Sequence, residues 1–179
     1  MRGYRALVIL STERDPRLIT VRRGGTLTDD DHRLLATWAA DCAEHVLPLF
    51  AAVRPDDERP RRGIEAARSW VRGELGMMAA RGAAFAAHAA AREVAGAARF
   101  AARSAGQAAA VAHVAEHELG AAAYALRAVA AAATDAEAAE ALRREREWQI
   151  AQLPERIRTL VLEDERRRDD LCWHVFSAP

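Results

Sequence analysis

The stretch that decides the fold is TDDDHRLLATWAADCAEHVL, residues 28–47. Thr28 can accept a hydrogen bond from a free N–H group at a helix start, and the three aspartates that follow suit the positive end of the helix dipole. Large apolar residues recur every three or four positions, as one buried helix face requires. That face consists of Leu34, Leu35, Trp38, Cys42, His45, Val46 and Leu49. We therefore predict a helix from Thr28 to about residue 53, bent near its end by Pro48.

Helical patterns continue through the rest of the chain. Prolines, glycines and capping residues divide it into further predicted helices at about residues 60–73, 77–103, 106–133, 134–153 and 154–171. We place the joint between the third and fourth helices at residues 104–106, and Thr134 opens a T-x-x-E capping box with Glu137. The predicted fold class is all-α, a single-domain bundle of about five to six antiparallel helices.

Residues 1–27 differ from the helical domain predicted for residues 28–179. This N-terminal leader holds Pro16, the pair Gly24 and Gly25, and two short β-prone stretches at residues 6–10 and 18–21. It could be a docking strand or a disordered leader. Because a hairpin of this length needs a sheet to join and no later strand is predicted, we expect an irregular, weakly ordered segment.

Composition excludes several classes of protein. The chain has 26 basic and 26 acidic residues, all the basic ones are arginine, and 44 of its 179 residues are alanine. Zero net charge argues against binding nucleic acid or an anionic membrane through bulk electrostatics. No apolar run approaches the roughly 18 residues that span a bilayer. Two cysteines cannot make a disulfide framework, so we expect a reducing, cytoplasmic location.

Histidines are the chemically distinctive residues on the alanine-rich faces. His113 and His117 are four residues apart, so they lie one turn apart on one helix face, the simplest way a helix offers two nitrogens to a metal. Other inward stripes carry further histidines and aromatic residues. If these stripes meet, the candidate ligand-binding residues are Trp38, His45, His88, Arg92, His113, His117 and Tyr124.

Three interpretations of these residues stay open. Histidines on an apolar helix face most often pack and bond to a carbonyl or carboxylate. The same residues could instead line a ligand pocket, or His113, His117 and His88 could hold a divalent metal such as zinc. The motifs H-E-x-x-H and E-x-x-H are both absent, which disfavours a zinc protease and a di-iron bundle.

Nucleophilic and phosphate-binding chemistry has little support. No G-x-S-x-G motif is present, and Cys42 near His45 and Cys172 near His174 are more typical of packing. The run Arg22-Arg-Gly-Gly25 is too short for a phosphate loop and lacks the following Lys-Ser/Thr. The arginines at positions 61 and 62 could contact an acidic partner.

Several blocks resemble a known family. They are DHRLLATWAADCAEHVLPLF at 31–50, RPRRGIEAAR at 59–68, AHAAAR at 87–92, AHVAEHELGAAAY at 112–124 and REWQ at 146–149. Together they resemble the actinobacterial putative immunity protein family of the Imm-5-like kind, over about residues 28–176. The resemblance implies neutralisation of a toxin. The matching blocks include all the candidate histidines together with Arg92 and Tyr124.

Our first hypothesis is a non-enzymatic immunity-type binding protein that sequesters a toxin protein or a small toxic metabolite. The rival is a small helical enzyme or metal-binding protein of a natural-product pathway, in which the histidines hold a divalent ion or act as general acid and base. Closely packing alanine-rich faces also make a homodimer plausible. Nucleic acid and membrane are not expected partners.

Overall fold

A computed structural model describes residues 10–177, which form seven α-helices and no strands within that range. The all-α prediction is confirmed, and the predicted number of helices is corrected to seven. The helices are α1 (Asp29–Ala51), α2 (Arg59–Val71), α3 (Met77–Arg92), α4 (Gly96–Ala110), α5 (His117–Ala132), α6 (Ala138–Gln152) and α7 (Glu155–Arg168). Among these helices, none is both long and apolar enough to cross a bilayer.

The alanine-rich segment breaks at other positions than the predicted joint. Helix α4 runs through residues 104–106 without interruption, so the joint predicted there is wrong. Gly106 lies inside α4, and its lack of a side chain leaves room for the His88 ring of α3, because a Cβ at Gly106 would lie 2.5 Å from that ring. The breaks fall at residues 93–95 and 111–116 instead.

Helix α1 begins where the sequence predicts. Thr28 Oγ1 accepts a hydrogen bond from the N–H of Asp31 at 3.1 Å, and the helix continues through Pro48 to Ala51. Its apolar face is fully buried at Leu35, Trp38 and Cys42. This face packs against α4 and α5, so α1 closes one side of the core.

Helices α4 and α5 form the centre of the bundle. Helix α4 packs against α1, α2, α3 and α5. Small side chains allow these close approaches, and the residues that α4 buries completely include Ala101, Ala102, Ala105 and Ala108. The connection at 111–116 between the two central helices therefore lies at one end of the bundle.

Residues 10–27 pack against the helical bundle. They contain two 3-10 turns, Pro16–Leu18 and Val21–Arg23, and one isolated bridge between Thr20 and Leu27. Leu18 and Leu27 are only 1% and 3% exposed and belong to the main core. The first β-prone stretch lies almost wholly outside the described residues, and the second contributes to these turns rather than to a strand.

Candidate functional site

Two predicted site residues of α1 face α6. His45 Nδ1 lies 2.8 Å from Oε2 of Glu145, and its ring stacks on Trp148 with centroids 3.8 Å apart. Trp38 is fully buried and its indole N–H donates to the carbonyl oxygen of Gln149 at 2.9 Å. The structure therefore places His45 and Trp38 in a contact between two helices.

Three other predicted histidines come together near α3, α4 and the 111–116 connection. The ring centroids of His113 and His117 are 5.5 Å apart. His117 Nδ1 lies 2.6 Å from Oε1 of Gln107. Burial and, to a smaller extent, the charges on His113 and His88 together lower the pKa of His117 to about 3. That coupling places all three imidazoles within electrostatic reach of one another.

Of these three histidines, only His88 has a buried Nδ1 atom without a hydrogen-bond partner. Burial lowers its pKa to about 4, with smaller contributions from Arg103 and Arg92. The imidazole is therefore neutral at pH 7, the form that binds metals. Within residues 10–177, however, no three His, Cys, Asp or Glu side chains are grouped so that they could hold a metal ion.

The last two predicted site residues lie on different helices, α3 and α5. Arg92 is exposed at the end of α3. Tyr124 is 4% exposed, and its ring lies 5.0 Å from Trp173 in the C-terminal segment. Arg127 completes this aromatic cluster, with its guanidinium carbon 4.1 Å from the Phe100 ring and 4.2 Å from the Trp173 ring.

A cavity of about 500 Å³ lies between residues 14–23 and the 111–116 connection. Its wall includes one predicted site residue, His113. The lining residues are Arg14, Leu18, Ile19, Thr20, Arg22, Arg23, His32, Trp70, Met77, Ala112, His113, Val114 and Ala115. The lining thus combines arginines with an apolar surface and contains no acidic residue.

The three arginines of this cavity differ in their partners. Arg14 Nε donates to Oε2 of the buried Glu116 at 2.5 Å. Arg22 forms an ion pair with Asp29 at 2.9 Å. Arg23 Nη1 donates to the carbonyl oxygen of His113 at 3.1 Å, and within the described chain it has no carboxylate partner. The positive charge of Arg23 is therefore the least compensated of the three.

Two imidazoles in the cavity wall bond to main-chain carbonyls. His32 Nε2 lies 2.6 Å from the oxygen of Val111, and the His113 Nδ1 lies 3.0 Å from the oxygen of Ala110. A carbonyl accepts, so each of these ring nitrogens carries the proton. Burial lowers the pKa of His32, and its ring contacts Trp70 edge-on at 4.8 Å. The His32 bond attaches α1 to the cavity wall, and the ring contact with Trp70 joins α2 to it.

A buried ionic cluster around Arg168 contacts the 111–116 connection, which forms one wall of the cavity. Arg168 of α7 is fully buried, and its Nη1 donates to the carbonyl oxygen of Glu116 at 2.9 Å. Its Nε donates to Oδ2 of Asp164 at 2.9 Å, and Nη2 donates to Oε1 of Glu118 at 3.1 Å. Burial raises the pKa of Glu118 well above its ordinary value, although Arg168 opposes that shift. The cluster joins α7 to the start of α5.

Both cysteines are unsuited to act as thiolates. Cys42 and Cys172 are fully buried. Burial raises the pKa of Cys42 well above its ordinary value and that of Cys172 to about 12. Since the thiolate is the nucleophilic form, neither side chain is activated for attack at neutral pH.

Sequence reasoning missed most of the cavity residues. Arg14, Arg22 and Arg23 were not among the predicted site residues, because the leader was expected to be weakly ordered. His32 of α1 and Trp70 of α2 were not among them either. One signal was available in the glycine pair. A Cβ at Gly25 would lie 2.0 Å from the carbonyl oxygen of Ile19, so this position requires glycine for a folded turn.

Comparison with known proteins places the chain in one family. A search of curated proteins and of solved structures found no significant match. The family described as "Imm-5 like putative immunity protein" matches residues 25–156, nearly three quarters of the chain. The match spans α1 to α6 and the 111–116 connection, while the cavity arginines at positions 14, 22 and 23 precede it. The chain belongs to the Imm-5 like putative immunity protein family.

Proposed function

We propose that this protein is an immunity protein that neutralises a toxin by binding it in a one-to-one complex, without chemical turnover. Family membership over residues 25–156 carries this proposal. The cavity of about 500 Å³ beside the 111–116 connection supplies a concave site of the size that ligands occupy. We assign the neutralising contact to that cavity.

The chemistry of the reactive side chains supports binding rather than catalysis. The two thiols are buried and protonated at neutral pH. His32 and His113 each use one ring nitrogen to bond a main-chain carbonyl. Within the cavity lining, no acidic residue is available to act as a partner base or acid. A site of this composition recognises a ligand by charge and shape.

A titration with the toxin tests the proposal. Products of neighbouring genes, and the metabolites that those products make, are first screened for an increase in the melting temperature of the protein, since a ligand that binds only the folded state stabilises it. The hit is then titrated against the protein in a growth or activity assay. We expect full protection at one protein molecule per toxin molecule. Protection by far smaller amounts, with a change in the mass of the toxin, would contradict the proposal.

A second candidate function follows from the three imidazoles of α3, α5 and the 111–116 connection. His88, His113 and His117 lie near one another, and His88 Nδ1 has no hydrogen bond. The rival proposal is a metal-dependent or acid-base function at these residues. Elemental analysis of untagged protein, compared with the His113→Ala/His117→Ala double variant, tests it. Stoichiometric zinc that the double variant loses supports the rival, and substoichiometric metal that stays unchanged ends it.

Homodimerisation remains a prediction. Met78 and Phe85 on α3 are 62% and 59% exposed, so this alanine-rich helix presents apolar surface outward. Light scattering after gel filtration gives the mass in solution. A mass of twice 19.6 kDa supports a dimer, and a monomer mass at micromolar concentration rejects it.

A further inference from the structure

We propose that the cavity between residues 14–23 and the 111–116 connection binds a small organic anion, with its acidic group beside Arg23 and its apolar body against Trp70 and Met77. The inference rests on the proposed function, because it names the ligand class of the same cavity. It favours a small toxic molecule over a protein toxin as the neutralised agent.

The charge of the lining selects an anion. Arg14, Arg22 and Arg23 line the cavity and no acidic residue does. The first two are compensated by Glu116 and Asp29. Arg23 gives one N–H to the His113 carbonyl and keeps further donors of its guanidinium fork. Such a fork matches the two oxygens of a carboxylate, phosphate or sulfonate.

The rest of the lining selects an apolar body on that anion. Leu18, Ile19, Trp70, Met77 and Val114 contribute apolar surface. A smaller cavity of about 160 Å³ shares Arg22, His32, Trp70 and Met77 with the main one and extends towards the connection between α2 and α3. Its one acidic residue, Asp29, forms an ion pair with Arg22. Inorganic phosphate would leave this surface exposed to water. The site therefore suits an aromatic or aliphatic acid.

The imidazoles add a fixed hydrogen-bonding pattern. His113 uses its Nδ1 proton for the Ala110 carbonyl, so in the neutral ring Nε2 is an acceptor. His113 lines the same cavity as Arg23, so this acceptor suits a hydroxyl or amine group of the ligand.

The size of the cavity favours a small molecule over one side chain of a protein partner. A volume of about 500 Å³ lies in the range of small-molecule sites. A single aspartate or glutamate side chain inserted from a partner would fill little of it. Its walls come from the leader, from α1, α2 and α3, and from the 111–116 connection, so a ligand would be surrounded rather than laid on a flat surface.

Two fluorescent probes that differ in one group test the charge preference. The anion 8-anilinonaphthalene-1-sulfonate and the uncharged N-phenyl-1-naphthylamine share the same rings, and only the first carries a sulfonate. We expect one sulfonate probe to bind per protein molecule, at least about tenfold more tightly than the neutral probe, as one charge-assisted contact provides. Equal affinity for the two probes would overturn the proposal.

Two pairs of variants locate the site. Arg23→Gln is expected to weaken the sulfonate probe about tenfold and to leave the neutral probe within about twofold. Its matched control is Arg62→Gln, which removes the same charge from an exposed position on α2. Met77→Glu places a carboxylate in the cavity at the first position of α3, where an acidic residue suits the helix dipole. It is expected to weaken the sulfonate probe by more than about tenfold, whereas Met77→Gln keeps the affinity within about twofold.

A loosened variant is recognised because it binds the neutral probe more tightly than the wild type does. Unchanged sulfonate affinity in both Arg23→Gln and Met77→Glu would overturn the proposal. Failure of this inference can be told apart from failure of the proposed function. The toxin titration measures neutralisation directly, so one-to-one protection that survives Met77→Glu keeps the immunity function and rejects this cavity as its site.

Discussion

Arg168, near the C-terminal end of the described chain, donates a hydrogen bond to the main-chain carbonyl of Glu116 at 2.9 Å. Glu116 ends the connection that supplies one wall of the cavity, and its own carboxylate accepts from Arg14 at 2.5 Å. A helix mostly outside the family match and an arginine of the leader thus meet at one residue. The cavity wall is held from both sides by arginines.

Replacing the buried guanidinium tests how much this support contributes. We expect Arg168→Leu to lower the free energy of unfolding by about 3–5 kcal/mol, because Glu118 would be left buried without its cation and Asp164 would keep only Arg167 as a partner. Urea unfolding followed by circular dichroism measures the loss. Arg166→Leu, at an exposed position of the same helix, is the control and should change stability by less than about 0.5 kcal/mol. Equal stability of the two variants would contradict the prediction.

The packing of the leader is tested at two apolar residues of very different exposure. Leu18 is 1% exposed, and Val21 is 62% exposed. Leu18→Ala should lower the free energy of unfolding by about 2–4 kcal/mol, the usual range for a buried leucine. Val21→Ala should have almost no effect. If both variants unfold at the wild-type urea concentration, residues 10–27 do not contribute to the core in solution.

The fold was predictable where the signals are local. The start of α1 follows from the Thr28 cap and the first-turn aspartates, and the structure confirms it. The break at 111–116 was not predictable, because it contains neither glycine nor proline. Tertiary contacts stabilise the non-helical conformation of residues 111–116. His32 bonds to the Val111 carbonyl and Arg168 bonds to the Glu116 carbonyl, and both come from distant parts of the chain.

The candidate site shows the same division between local and distant signals. The prediction that His113 and His117 share one helix is wrong, because His113 lies in the 111–116 connection and His117 begins α5. Their ring centroids nevertheless lie 5.5 Å apart. Helical periodicity showed that His45 shares a face with other inward residues but could not show which helix that face meets. Its partner, Glu145, is 100 residues away. The leader arginines were missed because nothing local predicts that residues 14–23 pack against the 111–116 connection.

The unpartnered ring of His88 predicts an unusual substitution. Because His88 Nδ1 is buried without a hydrogen bond, His88→Phe should fold with equal or greater stability at pH 7. Burial lowers the pKa of His88 from 6.5 to about 4. Below about pH 6.5 this histidine is protonated in the unfolded chain, whereas in the folded chain it stays neutral down to about pH 4. The free energy of unfolding of the wild type therefore decreases as pH falls through this window.

The His88→Phe variant does not lose stability in this way, because phenylalanine cannot be protonated. Its stability advantage over the wild type should grow by about 2 kcal/mol between pH 7.5 and pH 5, measured by urea unfolding at each pH. A constant difference would contradict the lowered pKa. Addition of zinc during the same measurements separates the rival metal hypothesis, because a zinc ligand at His88 would stabilise the wild type and not the variant.

Glu165 should give the opposite pH dependence. Burial raises its pKa from 4.5 to about 7, although Arg146 lowers it in part. The folded chain therefore holds a proton between about pH 4.5 and pH 7 that the unfolded chain has released, and the contribution to stability decreases as pH rises through that window. In Glu165→Gln the side chain keeps the shape of the protonated glutamate but cannot ionise. This variant should be more stable than the wild type above pH 7, by up to about 3 kcal/mol. An advantage that does not vanish near pH 4.5 would rule out this titration as its cause.

The C-terminal segment allows a test of backbone conformation alone. His174 has φ of +58°, in the left-handed region, while its side chain is 71% exposed. A Cβ at such a position is unfavourable by about 1 kcal/mol, so His174→Gly should be more stable than His174→Ala by roughly that amount. Both variants remove the same imidazole and its 3.5 Å contact with Asp169, so the difference between them reports only on the Cβ. Equal melting temperatures of the two variants would show that residues 172–176 leave this conformation in solution, and that the contact between Trp173 and Arg127 is not maintained there.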